Sequence, residues 1–492
     1  MSARLSSLAD RIADATLHGG DATLIDATHD SREVVKGALF CAVPGSSSDG
    51  HDHAADALAA GAAALLVERP LDLPVPQLVV PSVRRAMGPV AAGVHDDPAT
   101  ELRMLGVTGT NGKTTVTFLL EAAMAAAGWG SGRIGTLGTR LHGRSEAGVR
   151  TTPEATDLQR TLRSMRTRGA DGVAMEVSSH GLDLHRVDGI VFDVAAFTNL
   201  TQDHLDWHGT MERYRAAKAR LFTPDLSRHA VVLVDAPGAR EMLELVSVPV
   251  TTIGRSSSDD VTVLEREVGP AGSSACLDLD GATVRVSTVM RGMHNLDNLI
   301  VAVVTAVRAG IDAEVVAAAL SDVPAPAGRL EPFGGGELPL VLVDYAHTPD
   351  AVAGAVTVGR GLVPASARLH VVLGAGGDRD RDKRTSMGAA AAAADVVIVT
   401  DDNPRSEEPA EIRAAILAGA REGGAHVLEV AGRTEAIRRA VHDAEAGDVV
   451  LVLGRGHETH QEVRGSHLPL DDRELVRDAL ALRGAADVGS GR

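Results

Sequence analysis

The sequence predicts an α/β protein of parallel sheets, divided into three blocks. Two observations carry that prediction. Short, almost wholly apolar runs end abruptly in loops rich in Gly, Asp, Asn or His, and a helical pattern usually follows. Such runs belong to parallel strands covered by helices on both faces. The other observation is a pair of Pro-containing joints, HDDPATELR (His95 to Arg103) and VPAPAG (Val323 to Gly328), the second alternating Pro and Ala as a stiff linker does. They divide the 492 residues into 1–98, 99–326 and 327–492, which agrees with a prior of about 150 residues per domain.

Composition narrows the class. Hydrophobic residues make up 44% and aromatics 2%, so sizeable cores must be aliphatic. Lys and Arg number 48 against 66 Asp and Glu, a net charge of −18. That balance argues against a nucleic-acid partner or an anionic membrane, while leaving room for local basic pockets. Two cysteines, Cys41 and Cys276, supply neither a disulfide framework nor a four-thiolate zinc site. The opening MSARLSSLADRIADATLHGG lacks the apolar stretch of a secretory signal, and no run approaches the ~20 apolar residues of a membrane span. A soluble cytoplasmic protein is expected, with a monomer as its expected state. From Ala481 onward small and polar residues predict a frayed end.

Block one is Ala-rich. In block two the apolar runs are LRMLGVTG, DGVAMEVSSH, VFDVAAFTNL and AVVLVDAPG; in block three they are LPLVLVDYAH, LHVVLGAGG, ADVVIVTDDN and GDVVLVLGRG. Ligands of such sheets sit outside the carboxyl ends of the strands, where nearly every polar cluster of this chain falls.

Gly109-Thr110-Asn111-Gly112-Lys113-Thr114-Thr115 follows the first run of block two directly. A helix is expected next, with Val116, Leu119, Leu120, Ala123, Met124 and Ala127 on one face. Strand, Gly-rich turn and helix N-terminus together form an anion cradle of backbone N–H groups. In it Lys113 would reach the β/γ-phosphates of ATP, and the Thr114 hydroxyl would ligate Mg²⁺. The strict Walker spacing is broken, because Val107 stands where its first Gly belongs.

Glu176 ends a strand in AMEVSSHGLDLHR, and His204 lies after the next strand in FTNLTQDHLDWHG. A strand-end Glu and a loop His on adjacent strands can converge on Mg²⁺ beside the phosphate loop. Asp203 and Asp206 read equally well as caps of the helix that follows. Lys218, in MERYRAAKARLF, reads by itself as a surface lysine of an amphipathic helix.

These residues resemble the Mur ligase family, the ATP-dependent amino-acid-adding enzymes of peptidoglycan synthesis. The likeness runs from about Ser31 to Gln461 through SREVVKGALFCAVPG, GVTGTNGKTT, RTTPEATDLQ, MEVSSHGLDLHRV, FTNLTQDHLDWHG, YRAAKARLF, MHNLDN, GRLEPF, DYAHTPD, GGDRDRDKR, DNPRSEEP and GRGHETHQ. RTTPE, MEVSSH and DNPR are most similar to the branch that adds meso-diaminopimelate to UDP-MurNAc-L-Ala-D-Glu. The resemblance implies a small N-terminal α/β domain for the UDP substrate, a central P-loop-type ATPase sheet and a C-terminal Rossmann-like domain for the amino acid. It would set Ser31 against the uridine nucleotide and Thr151, Thr152, Ser178 and Arg186 against the muramoyl dipeptide. ATP would lie on Gly109 to Thr115 with Asn295, Arg329 and Asp344. Two Mg²⁺ ions would be held through Thr114, Glu176, His204 and Lys218, the last carried as a carbamate formed with CO₂ (N6-carboxylysine). Lys113, Lys218, Glu176 and His204 would form the catalytic set. Arg384, Asp402, Asn403, Pro404, Arg405, Gly454 and Glu458 would bind diaminopimelate, whose two carboxylates and two amines suit two guanidinium groups and an acid.

Departures from the family pattern are Leu184, in place of a polar contact, His294, in place of a Phe, and Ser46, Ser47 and Ser48, where bulkier polar groups are common. Competing readings are the L-lysine-adding relative, which Arg405 does not favour, folylpolyglutamate synthetase, and a nucleotide-driven switch with no amino-acid pocket.

Overall fold

The structure is a computed structural model that describes residues 2–490 apart from 46, 47, 149 and 379. Ser46 and Ser47 therefore lie outside the described residues. All eight apolar runs become strands: Arg103–Thr108, Gly172–Glu176, Val194–Phe197 and Ala230–Leu233 in one sheet, and Leu340–Asp344, Leu369–Leu373, Val396–Val399 and Val449–Leu453 in another. Their period-two alternation sorts them onto two faces. Leu105 and Val107 join a core with the helices Lys113–Ala126 and Met293–Arg308, whereas Met104 joins the opposite core with the helix Ala155–Thr167.

The central sheet has 11 strands. From Ser131–Gly135 across to Val261–Gly269 they run parallel, and antiparallel strands finish both edges: the hairpin Gly138–Leu141 and Arg144–Glu146 on one side, Gly272–Leu279 and Ala282–Thr288 on the other. The six-stranded sheet is parallel except for its edge strand Glu331–Gly334. A five-stranded sheet forms from Thr16–His18, Gln77–Val79, Ala64–Val67, Ala38–Cys41 and Asp26–Thr28, with only the first antiparallel. The result is a mixed α/β architecture of three domains. Both cysteines are buried and free, and burial pushes the Cys41 thiol up to about 12.

The helix Asp472–Ser490 is the last element of the third block. Ala479 and Leu480 pack its upstream part into the third core, which anchors it.

Candidate active site

The strand Arg103–Thr108 lies between Gly172–Glu176 and Val194–Phe197, so three parallel strand ends deliver their loops to one place. Gly109 has φ +152° and Gly112 φ +86°. A Cβ at Gly109 would fall 1.8 Å from Thr198 Oγ1, and one at Gly112 2.3 Å from Asn298 Oδ1, so neither position admits a side chain. The neighbouring strand's loop braces the turn: Asn111 N–H donates to Asn199 Oδ1 (2.9 Å), and Thr198 Oγ1 donates to the Asn111 carbonyl (2.6 Å). Lys113 opens the helix Lys113–Ala126 and donates to the Gly109 and Thr110 carbonyls, both at 2.8 Å. Burial pulls its pKa down, and the nearby Glu176 and Asp203 carboxylates oppose that pull.

Lys218 is no surface lysine. Its side chain is buried to 1% exposure, donates to the same Gly109 carbonyl at 2.8 Å and lies 4.5 Å from the Tyr214 ring centre. Burial first, then the Lys113 charge, hold its pKa well below that of an ordinary lysine. The amphipathic reading failed because the helix Met211–Ala219 packs this face onto the phosphate loop. Glu176, 1% exposed, accepts from Thr136 N–H (2.9 Å) and Thr136 Oγ1 (3.0 Å). His204 adopts φ +53°, and burial lowers its pKa to about 3, so its imidazole is neutral at neutral pH. A carboxylate, a neutral imidazole and the Thr114 hydroxyl around Lys113 form a donor set able to serve a cation between protein and phosphate. Among the described residues, no three His, Cys, Asp or Glu side chains make a cage on their own.

A cavity of about 400 Å³ opens between the second and third blocks beside this loop. Asn111, Gly112 and Thr115 line it together with Asn295, Arg329 and Asp344, three residues far apart in sequence. Arg329 donates to Thr114 Oγ1 (3.1 Å) and lies 4.7 Å from the Tyr345 ring centre. Asp344 accepts from Leu330 N–H at 2.7 Å, and its burial raises its pKa. His294 stands on the same wall.

The muramoyl-side residues also assemble. Thr152 Oγ1 donates to the Glu176 carbonyl and accepts from Ser178 N–H, both at 3.0 Å. Arg186 pairs with Glu154 at 2.8 Å, and Glu154 holds Arg84 of the first block at 2.6 Å. Thr151 Oγ1 lies 3.0 Å from Thr136 Oγ1. Ser178 has a structural task as well, accepting Gly181 N–H (3.0 Å) to cap the short helix Ser179–Asp183; Leu184 is that helix's half-buried C-cap. Ser31 begins the turn Ser31–Glu33 of the first block, two residues after His29, whose Nδ1 is 2.9 Å from Thr156 Oγ1 of the second.

On the third block the expected amino-acid residues lie on loops after parallel strands, except Arg384, which sits buried in the first turn of the helix Lys383–Ala391, and most already hold internal partners. Arg384 grips Glu407 through both terminal nitrogens (3.0 and 2.8 Å). Arg405, at φ +52°, donates to Glu462 (3.1 Å) and to the Gly377 carbonyl (2.7 Å). Asn403 donates to Glu458 at 2.7 Å. Gly454 has φ +116°, and a Cβ there would fall 2.4 Å from Asp402 Oδ2. Pro404 follows Asn403 at the turn, and its carbonyl would lie 1.9 Å from a Cβ at Gly377.

Three family models match the chain in order: Mur ligase family, catalytic domain, over 27–96; Mur ligase middle domain over 107–306; and Mur ligase, glutamate ligase domain, over 328–456. The chain belongs to the Mur ligase family. Its relatives include UDP-N-acetylmuramoyl-L-alanyl-D-glutamate–2,6-diaminopimelate ligases of Geobacillus thermodenitrificans, 42% identical over 98% of this chain and 100% of the relative, and of Streptomyces coelicolor, 42% identical over 97% and 96%. A solved structure of a ligase of that name superimposes with TM-score 0.70 at 32% identity, covering 98% of this chain and 100% of its own.

In this Mur ligase, sequence reading missed several residues. Asp203 is more than a cap: buried to 5% exposure, its carboxylate faces Lys383 (3.7 Å) and His347 (3.8 Å) of the third block, and the His347 contact together with the Lys383 charge holds its pKa far below the usual range against the cost of burial. Glu407, the partner of Arg384, and Arg455, fully buried beside Asn403, were also passed over. His180, Trp207 and His208 form a ring cluster around His204 and Tyr214. The motifs that contain these residues were visible, but Lys383 lies 180 positions from Asp203, Arg384 lies 23 from Glu407 and Asn403 lies 52 from Arg455.

Proposed function

We propose that this Mur ligase joins meso-2,6-diaminopimelate to UDP-MurNAc-L-Ala-D-Glu with ATP, through an acyl phosphate. The observation that carries the reading is the cavity in which the phosphate loop, Asn295, Arg329 and Asp344 meet, walled on one side by the third block. Relatives of the same length carrying that ligase name support the substrate choice.

A carboxylate is a poor acyl donor because its leaving group would be oxide. In the proposed reaction the D-Glu side-chain carboxylate attacks the γ-phosphorus, ADP leaves, and the amine displaces phosphate from the acyl phosphate. Such phosphoryl transfer depends on positioning and on charge stabilisation. Lys113 and the amide N–H groups of the loop face the phosphates. Glu176, His204 and Thr114 would hold Mg²⁺, two ions on this reading, which when bound neutralises phosphate charge. Lys218 suits carbamylation, since burial and the Lys113 charge favour its uncharged amine, and an uncharged amine adds to CO₂, forming an N–C bond and releasing one proton. The product is an anion beside the Lys113 ammonium instead of a second cation there. Asp402, Asn403, Arg405 and Glu458, with Arg384 in the first turn of the helix Lys383–Ala391, would take the amino acid. Blocks 1–98, 99–326 and 327–492 would serve the UDP end, ATP and the amino acid respectively, in a monomer acting in the cytoplasm. Among the described residues no helix is long and apolar enough to cross a membrane.

The test is ADP and phosphate release with UDP-MurNAc-L-Ala-D-Glu and a panel of amino acids. Release that needs both the nucleotide substrate and diaminopimelate is the expected result. Release with ATP alone would return the chain to the switch reading, and a preference for L-lysine would favour the lysine-adding one.

A further inference from the structure

Arg455 follows the strand Val449–Leu453 and is fully buried, so it touches no ligand. Its Nη1 donates to Asn403 Oδ1 (2.9 Å), and its Nη2 donates to the carbonyls of His460 (2.7 Å) and Leu470 (3.1 Å). The same guanidinium lies 3.5 Å from Glu458 Oε2 and 3.8 Å from Asp402 Oδ1. Asn403 Oδ1 also accepts the Glu462 N–H at 2.9 Å. Two N–H donors on one amide atom require that atom to be the oxygen, which turns the Asn403 NH₂ toward Glu458 at 2.7 Å. Glu458 is thereby held by one carboxylate oxygen, while its side chain keeps 29% of its surface open.

We propose that Arg455 is a positioning residue for the incoming amino acid: it locks the Asn403 amide, and through it the Glu458 carboxylate that receives an ammonium group of the substrate. The inference rests on the function proposed above and names the device that orients its amino-acid site. The charges agree with it. Asp472 is taken up by Arg433 (2.6 Å, both fully buried) and lies 3.9 Å from Arg455 Nε, while Asp402 and Glu458 flank Arg455 Nη1. Arg433 and Arg455 thus face three carboxylates, a cluster one positive charge short of neutral, and a substrate ammonium supplies it. Burial and the neighbouring Asp402 raise the Glu458 pKa, so an arriving cation is drawn to a carboxylate under electrostatic strain.

The experiment measures kcat and KM for diaminopimelate, ATP and UDP-MurNAc-L-Ala-D-Glu in the full-length enzyme and in Arg455→Ala, Arg455→Lys, Asn403→Ala and the Arg455→Ala/Asn403→Ala double variant. Arg455→Ala is expected to raise the diaminopimelate KM by about tenfold or more, the loss typical of one charge-assisted hydrogen bond, with the other two KM values within about twofold. Arg455→Lys should recover most of that loss, since an ammonium still compensates the two acids. The double variant should be no worse than the poorer single one, because both changes cut the same relay. Parallel rises in all three KM values, losses that multiply in the double variant, or no rescue by Lys would overturn the proposal. Should Arg455→Ala fail to fold, Arg455→Gln, which keeps donors for the two carbonyls, takes its place with the same expectations. Wild-type ADP release that ignores diaminopimelate would instead defeat the proposed function itself, whatever the variants do.

Discussion

The phosphate loop and the amino-acid loops of the third block sit at the ends of parallel strands, yet they are built differently. The phosphate loop is a backbone construction: seven consecutive residues, two glycines at positive φ and a helix N-terminus, with Lys113 folded back onto its own loop carbonyls. The amino-acid side is a side-chain construction. Arg384, from the first turn of the helix Lys383–Ala391, and Asn403 and Arg405, from the loop after Val396–Val399, already hold Glu407, Glu458 and Glu462. In the first region Lys113 bonds the carbonyls of its own loop, so its removal leaves the contacts between strands and helices in place. In the second, groups expected to bind substrate also hold the loops together, so activity and stability should fall in step.

Lys113→Ala offers the largest expected effect and the sharpest test of that contrast. Loss of a preorganised charge at the transferring phosphate should cost about a hundredfold to a thousandfold in kcat, read as ADP release, while the melting temperature stays within about 2 °C. A collapse in melting temperature would erase the distinction, because Lys113 would then be structural. Lys218→Ala comes next: most activity should be lost and partly restored by bicarbonate or short carboxylates that supply the missing anion. Full turnover without any additive would remove the carbamate from the mechanism.

Arg405→Ala should lower kcat/KM for diaminopimelate by roughly tenfold to a hundredfold, the range for one charge-assisted hydrogen bond, and L-lysine use far less. It should also lower the melting temperature, since Glu462 and the Gly377 carbonyl lose their donor. Equal losses for the two amino acids would place the choice elsewhere. The smallest effect concerns acid stability. Hydrogen bonds from Arg384 hold the Glu407 carboxyl down to about 2 from its usual 4.5. A depressed carboxyl stabilises the fold above its unfolded value, and the contribution fades as pH falls from about 4.5 toward 2. Glu407→Gln should flatten the wild-type decline of urea midpoint over that window, and parallel curves would show that the pair carries no linkage.

The same contrast explains what the sequence made legible. Apolar runs and the phosphate loop are local signals, and all eight runs became strands. Glu176 and His204 were readable because their strands flank Arg103–Thr108 directly. Lys218 was misread, since its own helix pattern says nothing about the loop it would pack on. Asp203 passed for a cap because its partners, Lys383 and His347, lie in another domain. Arg455 was hidden in a recognised motif, its importance set by Asn403, 52 positions away. The antiparallel strands at the sheet edges went unread because Val261–Gly269 and its partners are only partly buried and lack a continuous apolar run.

The aromatic poverty of the chain has an optical consequence. It holds two tryptophans and two tyrosines in 492 residues. Trp129 packs against the central core, while Trp207 keeps 47% of its surface exposed and lies 5.0 Å from the His180 ring, in the cluster that includes His204. Indole emission from this protein therefore has two spatially distinct sources, a partly shielded one that reports on folding and a solvated one in the ring cluster that includes His204. The second gives the molecule a native dye in that cluster, whose colour and brightness follow the rings around it without any label.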